Sequence, residues 1–131
     1  MLLPSQSEQW RRVVAVADDD SSVRETIQAI LEYDGYEVRL FRGAADSHDG
    51  IASARPDLVI LDLMLNGRLA DGLLQTLRSQ PETASIPVMV CTAASLPPSF
   101  IDGLQKHGYP VIRKPFDLDV FLETVQGLAR R

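Results

Sequence analysis

Short apolar runs recur along the chain and predict buried strands. Each run is about the length of a strand and gives way to polar or turn-forming residues. The runs are VVAVA (13–17), EVRLF (37–41), DLVILDL (57–63), IPVMVCT (86–92) and YPVIR (109–113). The second run alternates apolar and polar positions, which is typical of an edge strand with one less buried face.

Segments with helical spacing follow the strands and predict five helices. In the first, Val23, Ile27 and Leu31 lie on one face, and Ser22 with Glu25 forms a capping-box pair. The remaining helices are predicted over 44–54, from Asp71 onward, around Phe100 to Leu104, and from Leu118 to Leu128. Strand and helix thus alternate five times, which predicts an α/β fold with a mostly parallel sheet, helices on both faces and right-handed crossovers.

Chemically active side chains stand directly after several strands. Ligands of such sheets bind beyond the carboxyl ends of the strands, at a topological switch point. The residues at these places are Asp18, Asp19 and Asp20 after the first run, Asp62 in the third, Thr92 at the end of the fourth and Lys114 after the fifth. The sequence therefore places a candidate site at one edge of the sheet.

Length and composition limit the classes of protein that need to be considered. The 131 residues fit one domain, which we assign to 11–131 with a polar tail over 1–10. The net charge of −5 gives no indication of nucleic-acid or membrane binding. A single cysteine, Cys91, rules out an internal disulfide and favours a reducing compartment, and the short apolar patch at the N-terminus is too short for a signal peptide or membrane span. We therefore expect a cytoplasmic protein.

Each polar residue has a simple structural explanation when taken alone. Carboxylates such as the triplet favour the start of a helix by ~0.3–1 kcal/mol each, and Lys114 alone would be a solvated surface lysine. Asp62 is harder to explain because an unpaired carboxylate in an apolar run is costly. Together, clustered acids with a lysine and a hydroxyl are suited to Mg²⁺ and a phosphoryl group.

The motifs VVAVADDDSSVR, DLVILDLML, VCTAAS and VIRKPF resemble those of the response regulator receiver domain over about residues 12–129. The resemblance implies a flavodoxin-like, doubly wound, five-stranded parallel sheet of order 2-1-3-4-5 with five helices. It also implies that Asp62 is the phospho-acceptor and that Thr92 and Lys114 respond to phosphorylation. The Mg²⁺ ligands it implies are Asp18, Asp19, Asp62 and the backbone carbonyl of Met64. It further implies a cis Lys114–Pro115 bond.

Three features depart from the family pattern. Asn66 stands where a proline is usual, and Asp71-Gly72 comes about two residues late, which predicts a longer loop beside the site. Val111 replaces the usual aromatic residue three positions before the lysine, and the nearest aromatic is Tyr109. The predicted fifth helix extends nearly to Arg131, so we expect no output domain in this sequence.

The leading hypothesis is a stand-alone receiver that accepts a phosphoryl group from a sensor histidine kinase or phosphotransfer protein and signals to an unidentified protein partner. The sequence does not decide whether the protein forms a homodimer. Two alternatives remain: a small Mg²⁺-dependent phosphatase that works through an aspartyl phosphate, and a non-phosphorylated adaptor. Against the first, Met64 stands where such phosphatases need an acid. Against the second, the chain retains all five acidic, hydroxyl and lysine residues of the site.

Overall fold

Five parallel strands form the central sheet of the computed structural model, which describes residues 11–65, 68–69, 71–92 and 96–129. The strands are β1 Val13–Ala17, β2 Glu37–Phe41, β3 Leu58–Leu61, β4 Val88–Thr92 and β5 Val111–Arg113. They lie in the order β2-β1-β3-β4-β5, and each neighbouring pair is parallel. The predicted sheet order and α/β class are confirmed.

Helices cover both faces of this sheet. Within the described part of the chain they are α1 Ser21–Tyr33, α2 Ala44–Ala54, α3 Asp71–Ser79, α4 Pro98–Lys106 and α5 Leu118–Ala129. One apolar cluster joins the sheet to α1 and α5, and a second joins the opposite face to α2, α3 and α4. No helix in the described ranges has both the length and the apolar character needed to cross a membrane.

The burial of the strands follows their position in the sheet. The central strands β1, β3 and β4 are almost wholly buried because helices cover them on both faces. The outer strands β2 and β5 are partly exposed. The alternating pattern of EVRLF therefore predicted its edge position correctly.

Some apolar runs are longer than the strands they form. Strand β4 begins only after Pro87, and β5 only after Pro110, because proline has no N–H to donate to a neighbouring strand. The carbonyl groups of both prolines still accept hydrogen bonds, from Val59 and Val90 respectively. Strand β3 ends at Leu61, so Asp62 lies just beyond the strand rather than inside it.

The first helix begins differently from the sequence prediction. The N-cap is Asp20, whose side chain accepts a hydrogen bond from the Val23 N–H at 3.2 Å. Ser22 lies inside the first turn, so the predicted Ser22–Glu25 capping box is wrong. Asp20 can take this position because its backbone is extended and its short carboxylate side chain reaches an N–H of the first helical turn.

Between β3 and α3 the chain forms a short antiparallel hairpin, Met64–Leu65 with Arg68–Leu69. The sequence predicted a lengthened loop here but not a hairpin. Asn66 and Gly67 lie outside the described residues. The hairpin adds main chain beside the carboxyl end of β3, next to Asp62.

Candidate functional site

Three carboxylates meet at the carboxyl edge of the sheet. Asp18 and Asp19 follow β1, Asp62 follows β3, and these strands are paired in register with Ala17 opposite Leu61. One carboxylate oxygen from each acid lies within 4.8 Å of the others. Asp18 and Asp62 are buried, with 2% and 8% of their surfaces exposed, whereas Asp19 is exposed. The cluster therefore has a buried floor and one side open to solvent.

Asp18 is held by hydrogen bonds at both its backbone and its side chain. Its N–H donates to the Phe41 carbonyl at 3.1 Å, and its own carbonyl accepts from Nη1 of Arg24 at 2.8 Å. Its Oδ1 accepts from the Asp20 N–H at 3.0 Å. Asp18 is thus fixed to β2, to α1 and to the following turn.

Asp62 is oriented by the chain that follows it. Its Oδ1 accepts a hydrogen bond from the Met64 N–H at 3.0 Å, and its own N–H donates to the Ala17 carbonyl at 2.9 Å. The main chain of Met64, whose carbonyl the family resemblance implies as a metal ligand, therefore adjoins the carboxylate.

Lys114 supplies the positive charge of the pocket. Its Nζ lies 2.5 Å from Oδ2 of Asp18 and 3.1 Å from Oδ2 of Asp62. Burial by itself would lower the pKa of Lys114, but the hydrogen bond to Asp18 and the charges of Asp62 and Asp18 outweigh it, so the pKa lies above its ordinary value. The lysine is therefore protonated when it contacts the two carboxylates.

Thr92 and Lys114 are brought together by the pairing of β4 with β5. Thr92 ends β4 and is 1% exposed, and its backbone carbonyl accepts from the Lys114 N–H at 3.0 Å. The Lys114–Pro115 peptide bond is cis, which confirms that prediction. The sequence-predicted residues Asp18, Asp19, Asp62, Met64, Thr92 and Lys114 thus meet at one edge.

The acidic cluster suits a hard divalent cation. Carboxylate and main-chain oxygens are the ligands that Mg²⁺ prefers, and Mg²⁺ is commonly bound through one or two carboxylates with waters and phosphate oxygens. Asp18, Asp19 and Asp62 offer such a donor set. With Lys114 alongside, the pocket can hold a cation and an anionic phosphoryl group together.

Asp20 and Arg24, two charged residues near the site, make contacts in the structure that the sequence did not predict. From the sequence, Asp20 is one member of the acid triplet with no role of its own, whereas in the structure it is the N-cap of α1. The sequence also predicts no partner for Arg24, although Arg24 falls on the same helical face as Ile27 and Leu31, and all three are buried. A charged residue at a buried helical position was the available signal.

The family usually has an aromatic residue three positions before the lysine. Here Val111 holds that position, and Tyr109 lies two residues earlier. Val111 begins β5, and Tyr109 packs partly buried against the cluster on the α2–α4 face. The Arg78 guanidinium lies 5.5 Å from the centre of the Tyr109 ring. Burial raises the pKa of Tyr109, and the charge of Arg78 opposes that rise.

Comparison with protein families identifies the class. Residues 14–126 match the model of the response regulator receiver domain. Response regulator MprA of Mycolicibacterium vanbaalenii is 36% identical over 118 residues, which cover 90% of this chain and 50% of that protein. The chain therefore belongs to the response regulator receiver family, and it spans about half the length of the curated relatives it matches.

Solved structures show the same fold. The BeF₃-activated N-terminal receiver domain of Klebsiella pneumoniae RstA has a TM-score of 0.79 and 26% identity, with 91% of this chain and 99% of that chain covered. The receiver domain of the sensor histidine kinase PA1611 of Pseudomonas aeruginosa, described with a magnesium ion in its active-site cleft, has a TM-score of 0.80. Its identity is 20%, with 92% of this chain and 99% of that chain covered, so it supports the fold alone.

Proposed function

We propose that Asp62 accepts a phosphoryl group from a phosphohistidine in a Mg²⁺-dependent phosphorelay, and that the domain then signals to a protein partner. The observation that carries this proposal is the arrangement around Asp62. Its buried carboxylate lies beside two further acids and within 3.1 Å of Lys114. A carboxylate in this setting is positioned to meet an anionic phosphoryl group.

The transfer is a displacement at phosphorus. A carboxylate oxygen of Asp62 forms the new O–P bond as the P–N bond to the donor imidazole breaks, and the bonding electron pair returns to the imidazole nitrogen. Asp18, Asp19, Asp62 and the Met64 carbonyl would hold Mg²⁺, which would supply positive charge to the phosphoryl oxygens. The protein's own contribution is orientation, since the Met64 N–H already holds one oxygen of Asp62.

Lys114 and Thr92 are the residues that we expect to respond to the phosphoryl group. The ammonium of Lys114 already contacts Asp62, so it needs only a short movement to reach a phosphoryl oxygen. Thr92 is buried next to it at the end of β4. We expect its hydroxyl to turn toward the phosphoryl group and α4 to repack, which changes the surface presented to a partner.

A surface next to Lys114 suits a protein donor, such as a sensor histidine kinase or phosphotransfer protein. Val23, Thr26 and Ile27 of α1 line a shallow groove together with Pro115 and Phe116. The groove is mainly apolar and includes Lys114 itself in its lining. A protein that packs there would carry its phosphohistidine to the edge of the acidic pocket.

Acetyl phosphate with Mg²⁺, followed by intact-mass measurement, tests this function. We expect a single phosphoryl adduct, absent when the metal is removed with EDTA and absent in Asp62→Asn. Continuous turnover of a phosphate ester without an accumulating adduct would favour the phosphatase alternative. A folded protein with no adduct and no turnover would favour the adaptor and overturn the proposal.

We also propose that this domain is the whole of the cellular protein. An antibody raised against this domain would measure the size of the cellular protein. A band at 14.5 kDa, the mass of this chain, supports the stand-alone role, and a larger band contradicts it.

A further inference from the structure

Arg24 is a buried cation beside the acidic site. It lies in the first turn of α1 and is 8% exposed. Its Nη1 donates a hydrogen bond to the backbone carbonyl of Asp18 at 2.8 Å, and this bond is itself buried. Arg24 therefore binds the main chain at the point where Asp18 is joined to Asp19.

This location is unfavourable for a positive charge on general grounds. The N-terminal end of a helix carries a partial positive charge, which disfavours a cation there by about 0.3–1 kcal/mol. Burial of a guanidinium adds a desolvation cost. Within the described ranges, the ion pairs of the molecule do not include Arg24. The compensating interaction is the hydrogen bond to the Asp18 carbonyl.

With that hydrogen bond, every polar group of Asp18 has a hydrogen-bonding partner. The Phe41 carbonyl holds its N–H, the Asp20 N–H holds Oδ1, and Lys114 holds Oδ2. Arg24 is the partner of the one remaining polar group, the carbonyl. Because this carbonyl belongs to the peptide that leads into Asp19, its orientation sets the direction in which the exposed Asp19 side chain leaves the turn.

We propose that Arg24 is a positioning residue that holds Asp18 and Asp19 in the geometry required to bind Mg²⁺. The inference rests on the proposed Mg²⁺ site and adds to it the residue that orders its acids. Arg24 acts through the backbone of Asp18 and does not touch the metal or the phosphoryl group. Partners that orient metal ligands typically account for roughly 10–100-fold in metal affinity.

A positioning role and a purely electrostatic role of Arg24 predict opposite changes in Mg²⁺ affinity when Arg24 is replaced. One Mg²⁺ titration therefore distinguishes them. If Arg24 acted on the metal only through its positive charge, its removal would reduce repulsion and strengthen Mg²⁺ binding. If Arg24 orders the acids, its removal weakens Mg²⁺ binding despite the loss of that repulsion. We expect the second result, with Arg24→Met binding Mg²⁺ about 10-fold more weakly than the wild type.

The experiment is a calorimetric Mg²⁺ titration of the wild type, Arg24→Met, Arg24→Lys and the control Arg39→Met. Methionine preserves part of the apolar stem, and lysine preserves the charge and one donor. Arg39 is a surface residue of β2 paired with Glu37, so its change to methionine alters the net charge equally. We expect Arg39→Met to bind as the wild type does and Arg24→Lys to recover part of the lost affinity.

A second readout in EDTA reports the geometry without the metal. The Asp20 amide, which donates to Asp18 Oδ1, should exchange its hydrogen faster and shift its NMR resonance in Arg24→Met. Unchanged or tighter Mg²⁺ binding in folded Arg24→Met would overturn the inference. If Arg24→Met does not fold, Arg24→Gln takes its place, since it also removes the charge and has a shorter side chain, and Mg²⁺ affinity there equal to or higher than that of the wild type would equally overturn the inference. Absence of Mg²⁺ binding in the wild type would instead refute the proposed metal site.

Discussion

The Nζ of Lys114 and Oδ2 of Asp18 are 2.5 Å apart, although the two residues are 96 positions apart in the sequence. The contact joins the loop after β5 to the loop after β1 across the carboxyl edge of the sheet. Lys114 also contacts Asp62, so one ammonium group offsets two buried carboxylates. The electrostatic balance of the pocket therefore depends on this lysine as well as on any bound cation.

Removal of this charge should destabilise the domain. Loss of one member of a buried ion pair typically costs ~3–5 kcal/mol because the remaining charge stays buried and unpaired. We expect Lys114→Met to lower the free energy of unfolding in EDTA by about 3 kcal/mol, and Mg²⁺ to restore part of it by binding the folded state. Urea unfolding with and without Mg²⁺ measures both effects. Lys106→Met, at the exposed end of α4, is the control, and an equally small loss in both variants would contradict the prediction.

The adjacent acids Asp19 and Asp20 should have separable roles. Asp19 belongs to the carboxylate cluster, and Asp20 caps α1. We expect Asp20→Ala to lower the free energy of unfolding by about 1 kcal/mol with little change in Mg²⁺ affinity. Asp19→Ala should show the reverse: much weaker Mg²⁺ binding at nearly unchanged stability in EDTA. Equal losses of Mg²⁺ affinity in the two variants would mean that the assignment of the triplet is wrong.

Cys91 should make the stability fall at alkaline pH. Burial raises the pKa of this thiol from 9.0 to about 12, with a smaller opposing effect from Lys114. Between these values the unfolded chain releases the thiol proton and the folded protein retains it, so the stability decreases as the pH rises. For a single group this amounts to about 1 kcal/mol between pH 9 and 10.

Denaturant unfolding of wild type and Cys91→Ala at pH 8, 9 and 10 measures this contribution. The wild type should lose more stability across that range than the variant, because only the wild type has the thiol. Parallel pH profiles in the two proteins would contradict a neutral, buried Cys91 thiol in the folded protein. The same burial predicts that iodoacetamide reacts with Cys91 only as fast as the domain opens.

The phosphorylated state should be long-lived. Hydrolysis of an acyl phosphate requires a water held in line with phosphorus, and a polar side chain near the site can orient it. Met64, beside Asp62, has an apolar side chain, and so does Ala94, which lies outside the described residues. Met64→Asn with Ala94→Glu should therefore speed phosphoryl loss, by at most roughly 10²–10⁴-fold. An unchanged rate in this double variant, with slower loss in Asn66→Ala, would show that the hairpin segment controls hydrolysis instead.

The sheet and the location of the site could be predicted from sequence because both depend on regular patterns. Apolar runs such as VVAVA and DLVILDL identify central strands, and the parallel order then brings Asp18 and Asp62 to one edge. The resemblance to receiver domains added the strand order and the cis Lys114–Pro115 bond. These features do not require knowledge of individual side-chain contacts.

The local details could not be predicted because they depend on contacts between distant segments. By sequence both Ser22 and Asp20 are suitable N-cap residues, and the choice depends on where β1 ends and how the turn proceeds. The hairpin strands have two residues each, too few for any periodicity, although Asn66-Gly67 is a common hairpin signal. The bond from Arg24 to the Asp18 carbonyl depends on the main-chain path between them, which no spacing rule gives.

Chemical mapping of the modified residue shows directly whether Asp62 carries the phosphoryl group. Borohydride reduces an acyl phosphate to an alcohol, which converts the phosphorylated aspartate to homoserine. After treatment with acetyl phosphate, Mg²⁺ and borohydride, peptide mass mapping should find homoserine at position 62 and unchanged aspartate at positions 18, 19 and 20. Homoserine at one of those three positions, or a phosphoryl group retained on a serine or threonine, would contradict the account.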